Sequence, residues 1–188
     1  MRFTIARVAP RIAPRIVTVT ALLLATGLAS APARADQARE AVGLFVQSCL
    51  KYVEDPADLQ AWIAQTPQLR RLTAEEAQSF LGGQRGDVWS ADNDAGLFAL
   101  VVYADDTCSV IAHQASADQV TLVFSEYVRR KGLRLDKIGD RKEFIRGIDT
   151  REETYRSNAG NLPYEVVLIT SKSLRAEAQA ILTTRPNR

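Results

Sequence analysis

The chain has 188 residues, 24 of them basic and 22 acidic, with two cysteines and a single histidine. One histidine excludes every site that needs two imidazoles, His-Glu-x-x-His zinc sites among them. The sequence also lacks a Gly-rich phosphate loop and a Gly-x-Ser-x-Gly elbow.

Arg2, Arg7, Arg11 and Arg15 precede a stretch, residues 16–31, that carries no charge. This is the order of an export signal, and the stretch is too short and too rich in Thr and Ser for a membrane span of about 20 apolar residues. Cleavage is expected after Ala35 in Ala33-Arg34-Ala35, because the earlier small-residue site would leave Pro32 at the new terminus. No arginine pair marks twin-arginine export, and no cysteine lies near the site to take a lipid. Residues 1–35 are thus expected to be a general-secretion signal and 36–188 one α+β domain, periplasmic or secreted, with no membrane span in the mature form. Five of the 24 basic residues leave with the signal, so 19 remain against 22 acids. The mature protein is acidic, which removes the case for a nucleic-acid partner.

Cys49 and Cys108 form an even pair in a chain bound for an oxidising compartment, and a disulfide is expected. In chain order, Val42, Phe45, Val46, Cys49, Leu50 and Val53 make the apolar stripe of a first helix over residues 38–53. Asp55 and Pro56 cap and start a second helix, and Thr73 with Glu76 forms the capping box of a third that stops at Gly82 and Gly83. The period then changes to two. A strand around Val88 and Trp89, a polar turn over 92–96, an apolar strand over 97–103 and a partner strand over 108–113 follow. A bond from Cys49 to Cys108 would lay the first helix across the face shared by Cys108, Val110 and Ala112. Ser116 with Gln119 is expected to cap a central helix that ends before Gly132. One or two exposed strands over 133–157, a strand over 164–170 and a closing helix over 174–182 complete the reading. The fold class is α+β: a mainly antiparallel sheet, N-terminal helices on one face, a central helix and a C-terminal helix.

Several groupings invite a chemical reading. Ser48 and Lys51 match Ser-x-x-Lys, but both are expected to face solvent, and the companion motifs of that chemistry are missing. His113 could act as a lone acid or base with Asp105 or Glu126, and Trp89 is the aromatic suspect beside it. Cys108 and His113 lie five residues apart on one strand and so point to opposite faces. Residues 92–96 resemble the start of a calcium loop, yet the glycine falls one place early and Tyr103 stands where the bidentate acid belongs. Arg85-Gly86-Asp87 matches an adhesion tripeptide and fills the link into the first strand. Arg129, Arg130, Lys131 and Arg134 are the densest basic cluster and the candidate anion site, for example for a phosphorylated glycan, although a helix C-terminus accounts for the first three.

The export signal, Phe45-x-x-x-Cys49, Gly86-Asp87-Val88-Trp89 and Cys108-Ser109-Val110 together resemble a family of small exported proteobacterial proteins of unknown function. The resemblance implies a fold with a cysteine pair and no particular chemistry. The expected function is therefore that of a non-enzymatic binding protein without cofactor or metal, whose partner is another protein or an envelope component. The alternatives are a cell-envelope hydrolase assembled only in the fold and a carrier of a small hydrophobic ligand.

Overall fold

A computed structural model describes residues 30–93, 95–145, 147–157 and 163–186 of the chain. The first 29 residues of the expected export signal lie outside it. Helix α1 (Ser30–Phe45) opens the described chain and passes into a π turn (Val46–Leu50). Helix α2 (Pro56–Ala64) starts as expected, with the Asp55 carboxylate accepting from the Asp58 N–H at 3.1 Å. A short strand β1 (Leu69–Arg71), not anticipated from sequence, precedes α3 (Ala74–Leu81). The capping box forms: Thr73 Oγ1 accepts from the Glu76 N–H, and Glu76 accepts from the Thr73 N–H at 2.8 Å.

Strands β2 (Gly86–Asn93), β3 (Gly96–Tyr103) and β4 (Cys108–Ala112) then form a meander. In the turn between β2 and β3, Asn93 Oδ1 accepts from the N–H groups of Ala95 and Gly96, which fits a polar hairpin turn. Helix α4 (Ala117–Lys131) carries the chain across one face to the far edge of the sheet. From there β5 (Leu135–Ile145), β6 (Ile148–Ser157), β7 (Tyr164–Ser171) and β8 (Ala180–Pro186) return to the middle. The sheet is antiparallel in the order β1-β2-β3-β4-β8-β7-β6-β5. The architecture is mixed α+β.

Period-two alternation decides what each face does. Phe98 and Leu100 of β3, Cys108, Val110 and Ala112 of β4, Leu182 of β8 and Val166 and Leu168 of β7 point to the face under α1 and α4. There they meet Phe45, Val42, Val120 and Phe124, and the Phe124 ring lies 6.2 Å from Phe45 and 5.5 Å from Tyr155. Ala99, Val101, Val88 and Ile111 point the other way, toward Ala77 of α3. The N-terminal helices are thus split, with α1 on one face and α3 on the other. On that second face β6, β7 and β8 carry a charged row, in which Glu165 accepts from Arg156 at 2.7 Å and from Arg185 at 2.8 Å. Antiparallel sheets tolerate such a polar face.

Cys49 and Cys108 are bonded, with Cα atoms 5.3 Å apart, and the first helix lies across the Cys108, Val110 and Ala112 face. Three boundaries differ from the sequence reading, the first being that α1 already begins at Ser30 rather than near residue 38. The regular helix stops at Phe45, and the wider π turn lets Val46, Ser48, Cys49 and Leu50 all be buried. The closing helix over 174–182 does not form. Its residues split into an irregular stretch with Leu174 68% exposed and the strand β8, because β4 and β7 need a partner between them more than an Ala-rich segment needs to be helical. Ser116 stands at the start of α4, but its hydroxyl makes no cap bond.

Candidate functional site

A charged concavity lies where the first turn of α4 passes over the end of the β5–β6 hairpin. It is a cleft of about 390 Å³ lined by Asp118 and Thr121 of α4, Lys142 of β5, Asp149 and Arg151 of β6, and Thr170 and Lys172 at the end of β7. Its size falls in the range of small-ligand sites, about 300–1,000 Å³. Pairing register builds it. Lys142 stands directly opposite Arg151 and Phe144 opposite Asp149, so two cations face each other across the hairpin. Like charges in that position repel unless something between or beneath them compensates.

The compensation is an ion-pair lattice built on one buried carboxylate. Glu153 is only 2% exposed and takes hydrogen bonds from Thr121 Oγ1 at 3.0 Å and from Lys137 Nζ. Arg151 grips Asp140 through Nε at 2.9 Å and Nη2 at 2.6 Å, and its Nη2 also lies 3.3 Å from Glu153. Hydrogen bonds from Arg151 and Lys137 hold the Asp140 carboxyl well below the usual carboxylate range. Asp140 in turn raises the affinity of Arg151 for its proton. Burial opposes the charge on Lys137, but its bonds to Asp140 and Glu153 outweigh that, and its ammonium persists to higher pH than usual. Burial pushes the Tyr155 phenol up. This lattice fixes the guanidinium of Arg151 as a rigid wall of the cleft. On the opposite rim Lys172 pairs with Asp118 at 2.8 Å, both exposed.

Comparison with family models and with curated proteins returned no match. The residues singled out from sequence are not gathered here. Arg129, Arg130 and Lys131 are exposed in the last turn of α4, and Arg134 follows the Gly132 cap. At 1.5 Å per residue that places them about 20 Å from the cleft, at the wrong end of the helix. Arg130 lies 3.7 Å from Glu126 one turn earlier. Trp89, 6% exposed, belongs to the core under α1, whereas His113 belongs to the other face, its ring edge-on to Phe80 at 6.3 Å. The two suspects therefore lie on opposite sides of the sheet. His113 Nδ1 bonds the Glu177 carbonyl, while Asp105 accepts from the Thr107 N–H and Glu126 lies by Arg130.

His113 does line a second, smaller cleft of about 200 Å³ with Arg70, Glu76, Phe80, Ser90 and Leu97. Ser90 faces Ala99 across β2–β3, and Ala99 is two residues from Leu97 on the strand beside His113. Two strand spacings and two residues along the strand separate Ser90 from His113 by about 12 Å, too far for a nucleophile and its base. Ser48 is fully buried, contrary to the solvent-facing expectation, and donates to the Leu44 carbonyl at 2.6 Å. Lys51 meanwhile is exposed and donates to the Tyr52 hydroxyl at 2.9 Å, so no Ser–Lys pair exists. Asp87 of the Arg85-Gly86-Asp87 tripeptide is held by Arg71 and built into β2. Among the described residues no cluster of His, Cys, Asp and Glu suits a metal ion, and no helix is long and apolar enough to cross a membrane. The cleft residues escaped sequence reading because their alternation looks like that of any solvated hairpin. The one available signal was the excess of cations over 129–156.

Proposed function

We propose that this is an exported, non-enzymatic binding protein of the periplasm or the extracellular space, and that the cleft beneath the first turn of α4 is its contact surface. The observation that carries the reading is the cleft itself: charged, open, and walled by an arginine held rigid from below. The partner is another protein or a component of the cell envelope. Export is supported by the disulfide, since such bonds persist in oxidising compartments. Processing after Ala35 is supported by burial along α1: Asp36 is exposed, whereas Gln37, Ala38 and Ala41 are packed into the fold. The resemblance to small exported proteobacterial proteins agrees with both.

A photo-crosslinking residue at position 172, on the cleft rim, and another at 122, on the exposed flank of α4, test the reading in cells. The expected result is a chain beginning at Asp36 in the periplasmic or external fraction, with an adduct at 172 and none at 122. An unprocessed cytoplasmic chain, or an adduct at 122 alone, overturns it.

A further inference from the structure

We infer that the cleft takes a small zwitterion of dipeptide size, with its carboxylate at Lys142 and its ammonium at Asp149. The inference rests on the reading of this cleft as the contact surface and adds the chemistry of what it holds. In and directly beneath the cleft, Lys137, Lys142, Arg151 and Lys172 are matched by Asp118, Asp140, Asp149 and Glu153. The sum is neutral, so a bare anion or a bare cation would enter with no net Coulombic gain.

The charge is not evenly spent, however. Asp140 is engaged twice by Arg151, Glu153 lies beneath both Arg151 and Lys137, and Asp118 is held by Lys172. Among the described residues, Lys142 and Asp149 alone of the charged groups lining the cleft have no charged partner within 4 Å. The hairpin register makes them diagonal neighbours on one face, two residues out of step, with backbones about 7–8 Å apart. Two extended residues span about 7 Å, the reach of a dipeptide between its termini.

The test is calorimetric titration of the mature, disulfide-intact protein with Ala-Ala, Ala-Glu and Ala-Lys. Alongside go N-acetyl-Ala-Ala, Ala-Ala amide and inorganic phosphate. The expected result is binding of at least one unblocked dipeptide, with either blocked end weakening it tenfold or more. Lys142→Ala and Asp149→Asn should each weaken it to a similar degree, and Leu122→Ala should leave it unchanged. Both substitutions fall at exposed positions on a hairpin, so folding is preserved, and a thermal melt verifies it. Equal binding of blocked and unblocked peptides, or phosphate binding that Asp149→Asn leaves intact, overturns the zwitterion. No dipeptide binding at all also overturns it, while an adduct at position 172 would then leave the proposed contact surface standing.

Discussion

Glu153 and Glu165 are both more than nine-tenths buried, on opposite faces of the same sheet, and each is answered by two cations. A carboxylate taken out of water is tolerated only under such conditions. For Glu165 the bonds from Arg156 and Arg185 pull its pKa below the ordinary 4.5. A folded pKa below the unfolded one contributes stability that is present above the unfolded value and lost as pH falls through the folded value. The protein is therefore expected to melt at lower temperature as pH drops below about 4.5, with Asp140, whose pKa is also lowered, acting in the same sense. Glu165→Gln should be less stable than the parent at pH 7, and the gap should narrow by pH 3. Melts followed by circular dichroism across that range check it, and a gap that stays constant would show that the ion pairs are not its source.

At the scale of elements, the disulfide and the π turn act together. The π turn aims Cys49 at β4, and the bond closes a loop between residues 59 apart in sequence. Constraining a loop of that length lowers the entropy of the unfolded chain, worth about 4 kcal/mol. Cys49→Ser combined with Cys108→Ser is expected to lower unfolding stability by about that amount in urea titration of the mature protein. A loss well under 1 kcal/mol would mean that the packing of α1 against α4 holds the helix without the bond. The local elements were legible wherever a residue carries its own instruction. Pro56 with Asp55, Thr73 with Glu76, and Gly82 and Gly132 at left-handed helix ends act within one turn of chain and need no tertiary partner. The Ser116 and Gln119 signal was equally readable but is not used.

At the scale of the molecule, the chain runs as a helix followed by antiparallel strands, twice over: α1 leads to β2-β3-β4 and α4 to β5-β6-β7-β8. The two runs meet where β4 pairs with β8, beneath helices that pack side by side. No repeat is visible in the sequence, because α2, β1 and α3 interrupt the first run only. Centrality in the sheet should govern local stability. Amides of β3, β4 and β8, paired on both sides, are expected to exchange with solvent orders of magnitude more slowly than those at the tip of the β5–β6 hairpin, where Phe144 is 72% exposed. Hydrogen exchange read by NMR decides it, and uniform protection along β5 would contradict the edge position of that strand.

The sequence by itself determined the mixed α+β class, the pairing of its two cysteines, the starts of α2 and α3 and the alternation of β3 and β4, since each depends on covalent geometry, local capping or a period within one element. It misread residues 180–182 as helix, because their alternation is short and Ala-rich and only the vacancy between β4 and β7 makes it a strand. It pointed to Arg129 and its neighbours for charge. The cleft instead takes Lys142, Asp149, Arg151 and Lys172 from three strand ends and sets them under the opposite end of α4. That juxtaposition follows from register and crossover, which are long-range properties of the folded chain.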